Sequence, residues 1–183
     1  VKLRHFFRHH VPPFTRVLLI ESGSRDLLED LLPGIYEHHG ADTQIDLLTC
    51  YTGTPGALSR HAVIYRTTDY APADRPRLLR ELLANQYSVV GIICSAEPIL
   101  YRWKLWLGWK LPGKIFILNE NGDYFWLDRH HWSLIRHFLL FRMGLTGAGA
   151  IPSLLRLLVF PFTVLRLAAA AAWWHFRRRL RSL

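Results

Sequence analysis

Residues 16–33 constrain the fold more tightly than any other stretch of this chain. Val17-Leu18-Leu19-Ile20 is an uninterrupted apolar run, the mark of a strand buried on both faces. Glu21-Ser22-Gly23-Ser24 then interrupts it with small polar residues, and Leu27, Leu28, Leu31 and Leu32 restore apolar character at helical spacing. Strand, tight turn and helix in that order open a parallel α/β sheet. Ligands of such sheets bind beyond the carboxyl ends of the strands, so this turn is the first place to look for chemistry.

The alternation continues along the chain. Residues 44–50, 62–66, 87–94 and 114–118 read as further strands, the clearest being the β-branched run at 87–94. Helical patterns fall at 25–39, after Asp74 (Leu78, Leu79, Leu82, Leu83), at 97–110 and at 128–142. Asn121-Gly122 has tight-turn chemistry, so 124–127 could double back as a short strand. The expected architecture is a single Rossmann-like, three-layer α/β domain at 16–143 with a mainly parallel five-stranded sheet. A basic aromatic arm at 1–15 precedes it, expected either to touch a membrane surface or to pack on the domain. A membrane-associated apolar helix with an Arg-rich end, at 144–183, follows it.

Half of the 183 residues are apolar and the net charge is +9. One core with appendages suits that length, and the basic balance suits an anionic surface, lipid or nucleic acid. Cys50 and Cys94 have neither disulfide-framework nor zinc spacing, and the adjacent pairs His38-His39 and His130-His131 do not share a helix face, so no metal site is read. No cofactor motif is present. No secretory-type apolar core follows the basic start, which points to a reducing, cytoplasmic setting.

The tail carries the membrane argument. Residues 157–176 are apolar over about the length that spans a bilayer. Arg166 stands in the middle, where insertion of an arginine costs about 2.5–3.5 kcal/mol. Arg142 and Arg156 lie before it, Arg177, Arg178, Arg179 and Arg181 after it, which favours keeping both ends on the cytoplasmic face. On a wheel of about 100° per residue, Arg156, Thr163, Arg166, Arg177 and Arg181 share a sector of about 80°. A helix lying in the interface plane fits this, anchored by Trp173 and Trp174. Pro161 would kink it or turn it into a re-entrant hairpin, and burial in a homodimer is the alternative. Trp103, Trp106 and Trp109, interleaved with Arg102, Lys104 and Lys110, suit either a membrane belt or packing on the sheet. Without an RNA-binding motif, nucleic acid is not the expected partner.

Three clusters could carry chemistry. Ser22-Gly23-Ser24 offers hydroxyls and N–H groups to an anion at a helix start, with Asp26 and Glu21 as flanking bases. The bland alternative makes Ser24 a helix cap and Asp26 a favourable first-turn charge. Ser95 and Glu97 end the 87–94 strand on the same rim, Ser95 as an acceptor-binding hydroxyl and Glu97 as a second acid. Asn119-Glu120-Asn121 ends the next strand with groups suited to sugar hydroxyls, or simply forms a turn.

Ser22, Gly23, Ser24, Asp26 and Pro33 resemble the opening motif of glycosyltransferase family nine, the heptosyltransferase-like enzymes: a serine-rich turn, Gly-Asp, an apolar helix and a proline. Arg25 stands where that family has glycine, Glu21 where it commonly has arginine, and Pro33 lies one residue further on. The resemblance covers about residues 16–128 and implies the N-terminal, acceptor-side half of a GT-B fold, with Asp26 as base for the acceptor hydroxyl. It implies a lipid-linked glycan acceptor and, since the donor half is absent, a separate nucleotide-sugar-binding subunit for any hexosyl or heptosyl transfer. The competing expectation is a non-enzymatic membrane adaptor whose α/β domain binds a partner protein.

Overall fold

A computed structural model describes residues 2–7, 10–95, 97–119, 123–145 and 150–181. The chain forms two compact units, Val1–Leu134 and Ile135–Leu183. The first contains α1 (Lys2–Phe7), β1 (Arg16–Ile20), α2 (Arg25–His39), β2 (Gln44–Thr49), β3 (Ile64–Arg66), α3 (Arg75–Ala84), β4 (Val89–Cys94), α4 (Tyr101–Lys110), β5 (Lys114–Asn119) and β6 (Tyr124–Trp126). The boundary between the units falls within α5 (Trp132–Arg142), and α6 (Ala150–Arg181) lies in the second unit.

The strands form one sheet in the order β3-β2-β1-β4-β5-β6. All neighbours run parallel except β6, which returns antiparallel to β5 with Trp126 opposite Phe116 and Tyr124 opposite Leu118. The expected five-stranded sheet therefore has six strands. The Asn119 amide donates to the Asp123 carbonyl at 2.9 Å, closing the turn that makes the sixth possible.

Strand alternation explains why β1 is apolar throughout. Val17 and Leu19 pack on one face with Leu28 and Leu32 of α2, while Leu18 and Ile20 pack on the other with Leu78 and Leu82 of α3 and Leu107 of α4. α2 keeps its expected bounds, since the Leu27 amide donates to the Ser24 hydroxyl at 3.4 Å and Gly40, at φ 99°, receives the chain at the other end. α4 starts four residues later than expected. Leu100 takes a left-handed φ of 49°, which breaks the helical path after Pro98. The arm packs on the first unit: the Ser88 hydroxyl donates to the Pro13 carbonyl at 2.8 Å, and Phe14 stacks on His39 at 3.5 Å.

α6 runs 32 residues, about 48 Å at 1.5 Å per residue, and continues through Pro161 instead of forming the hairpin. Leu158, Phe160, Phe162, Leu165, Trp173 and Trp174 are all exposed along it. No helix among the described residues is long and apolar enough to cross a membrane.

Candidate functional site

The strand order reverses between β1 and β4, so the crevice of an open α/β sheet should lie between the loops that follow them. Those loops are bonded to one another. Ser22 is buried and its hydroxyl donates to the Ile93 carbonyl. The Ser95 hydroxyl donates to the Ser22 carbonyl at 3.3 Å and accepts from the Glu97 amide at 3.3 Å. Gly23 sits so close to the end of β4 and the loop after it that an added Cβ would lie 3.1 Å from Ile93 Cγ2 and 3.2 Å from Ser95 Oγ. The Tyr51 hydroxyl also donates to the Gly23 carbonyl at 3.1 Å. Ser22 and Ser95 thus staple the crevice together.

Glu21 and Arg25 complete the closure. Glu21 is fully buried at the end of β1, and Arg25 meets it with Nε 2.7 Å from Oε1 and Nη2 3.1 Å from Oε2. Only the Nη2–Oε2 contact is a hydrogen bond; Nε and Oε1 are close enough for an ion pair but lack hydrogen-bond geometry, so the pair is held by charge and one hydrogen bond. Arg25 also lies over the Tyr51 ring at 5.5 Å and reaches the Thr49 hydroxyl at 3.5 Å. Burial pushes the Glu21 carboxyl above its ordinary 4.5, with Thr49 and Arg25 pulling against that rise. Burial likewise pushes the Cys50 thiol up.

The remaining expected residues do not converge here. Asp26 is exposed in the first turn of α2, and among the described residues it has no hydrogen-bonded partner. Ser24 caps α2. Glu97 is exposed, 3.5 Å from the Ser95 hydroxyl. Asn119 accepts from the Asp123 amide at 2.8 Å and donates to its carboxylate at 3.1 Å, the turn role rather than a sugar-binding one. Glu120 and Asn121 lie outside the described residues. Trp103 and Trp106 are half-buried against the core of the second face, as in the packing alternative, whereas Trp109 is 76% exposed. Arg156, Arg166 and Arg177 are exposed on α6, which also carries Arg178. The described residues bring no three His, Cys, Asp or Glu side chains together as metal ligands.

A second buried network escaped the sequence reading. Lys114 and Asp128 are both fully buried, with Nζ 2.7 Å from Oδ2. The ammonium also donates to the His10 carbonyl at 2.9 Å and lies 4.9 Å from the Trp126 ring. His131 Nδ1 meets the other carboxylate oxygen at 2.7 Å. Burial works to raise the Asp128 carboxyl, but hydrogen bonds from Lys114 and His131 outweigh it and hold the group below its ordinary 3.8. The network ties arm, sheet and β6 connection together. Its sequence signal was a single lysine opening an apolar strand; the Glu21–Arg25 signal was a pair of opposite charges four residues apart.

Comparison with protein-family models, curated proteins and solved structures finds no match to this chain.

Proposed function

We propose that this chain works at a membrane surface, on the cytoplasmic face, as a docking module of glycan or glycolipid assembly. In this reading it is a degenerate relative of a glycosyltransferase half that transfers no sugar by itself. One observation carries the reading. The two positions where the opening turn departs from the family-nine pattern, Glu21 and Arg25, are bonded to each other across it. The arginine that would serve an anion is thereby engaged within the protein, while Asp26 stays exposed beside it. The exposed apolar residues of α6, with Trp173-Trp174 beside an arginine run, supply the surface contact.

The test pairs vesicle flotation with a transfer assay on the full chain. Flotation with phosphatidylglycerol vesicles is expected, and Trp173→Ser/Trp174→Ser should weaken it. The chain alone, given nucleotide sugars and membrane lipid, is expected to transfer nothing. Sugar transfer that disappears in Asp26→Asn refutes the docking reading.

The exposed, unpartnered Asp26 beside the turn favours a second reading, the acceptor half of a split transferase. Its mark would be co-purification of a nucleotide-sugar-binding subunit and transfer that depends on both chains and on Asp26.

A further inference from the structure

The second face of the sheet is incompletely covered beyond α4. An apolar groove of about 470 Å3 lies there, lined by Ile92 of β4, Ile115 and Ile117 of β5, and Leu105 and Gly108 of α4. Tyr101, Leu105 and Trp109 recur at every fourth position of α4 and are 58%, 57% and 76% exposed, an apolar stripe with two members on the groove wall. Lys104 and His5 also line the groove, no acidic residue does, and the Lys104 ammonium lies 6.0 Å from the Tyr101 ring.

Polarity and charge select the occupant. An extended peptide would bring N–H and C=O groups along its whole length against a lining that is mostly apolar and satisfies few of them. A hydrocarbon chain has no such groups. Lys104, on a mostly apolar wall without carboxylates, complements a negative headgroup, and a Trp beside Lys110 at the mouth is the composition of a membrane interface.

We propose that this groove takes the acyl chain of an anionic lipid, with Lys104 at the headgroup. The proposal deepens the membrane-surface reading and rests on it for the source of the lipid.

The probe is lysophosphatidylglycerol below its micelle concentration, added to the full chain in a Cys50→Ala background, with maleimide modification of the groove-lining Cys94 as readout. At about ten times the dissociation constant, modification should slow roughly tenfold. Lysophosphatidylcholine of the same chain length should bind roughly fivefold more weakly, and Lys104→Ala should erase that difference. Gly108→Leu should abolish protection. An added Cβ there meets Ile92 Cδ1 at 3.6 Å and Ile115 Cδ1 at 3.7 Å, ordinary contact, and leucine suits a helix interior better than glycine. Unchanged circular dichroism confirms that the variant folds.

Absence of protection, or protection retained in folded Gly108→Leu, overturns the proposal. So does a lipid-free dimer that Gly108→Leu dissociates, which would make a second copy the occupant. Flotation run in parallel separates the two readings. A chain that fails to float yet shows lipid-protected Cys94 overturns membrane association alone; a floating chain with unprotected Cys94 overturns the groove proposal alone.

Discussion

Replacing Arg25 with alanine probes the closure of the opening turn directly. Glu21 is fully buried, and Arg25 faces it at 2.7 and 3.1 Å. Stripping the partner from a buried carboxylate costs about 3–5 kcal/mol. Arg25 keeps 21% of its side chain exposed, so water replaces part of its effect and about 2–4 kcal/mol is the expected loss. Measured by hydrogen exchange, the amides of β1 and α2 should then exchange roughly 30- to 700-fold faster. The sign of the pH dependence follows from the carboxyl. Burial holds it above 4.5 in the folded chain, and losing Arg25 raises it further, so the folded state binds the proton more tightly than the unfolded one. The penalty is full above the raised folded value and fades as pH falls toward 4.5. Acidification should therefore narrow the gap between Arg25→Ala and the parent, and adding Glu21→Gln should recover most of the loss at neutral pH. Unchanged exchange in Arg25→Ala, or a gap that widens on acidification, refutes the reasoning.

Other perturbations read different parts of the fold. Asp128→Asn leaves the Lys114 ammonium buried without its counter-charge and should cost about 3–5 kcal/mol, seen as a lower urea midpoint at neutral pH. Because the folded Asp128 carboxyl lies below 3.8, its contribution is full above 3.8 and is lost as pH falls through the folded value, so the variant's midpoint should fall less steeply in acid than the parent's. Gly113→Ala places a Cβ 2.8 Å from the Tyr87 carbonyl oxygen, a backbone atom that cannot rotate away, and should cost about 1–3 kcal/mol. At Gly91→Ala the sole clash is with the tip of Leu19, at 2.7 Å, a side chain that can give way, so its melting temperature should lie above that of Gly113→Ala; the reverse order would count against the packing described.

The elements themselves were legible. β1 and β4 are apolar because both sheet faces are covered there, β5 is apolar although Ile115 and Ile117 stay half-buried at the groove, and α2 shows its bounds through Ser24 and Gly40. Such signals are local, since periodicity and caps depend on residues a few positions apart. The start of α4 was less legible, because it depends on the left-handed backbone at Leu100, a residue type that does not favour it. Tryptophans at spacing three drift around a helix of 3.6 residues per turn, and the packing of α4 put Trp103 and Trp106 against the core and left Trp109 outside.

What the rim residues do was decided only when the chain folded. Ser22, 71 positions from Ile93, was readable as a ligand-binding hydroxyl until the β1–β4 pairing brought that carbonyl to it. Lys114 and Asp128 became partners because β5 and the turn after β6 meet, an adjacency no periodicity encodes. Apolar patterning specifies which stretches become strands and helices. A polar side chain buried among them must find a partner, and the partner's identity depends on contacts between segments far apart in the chain.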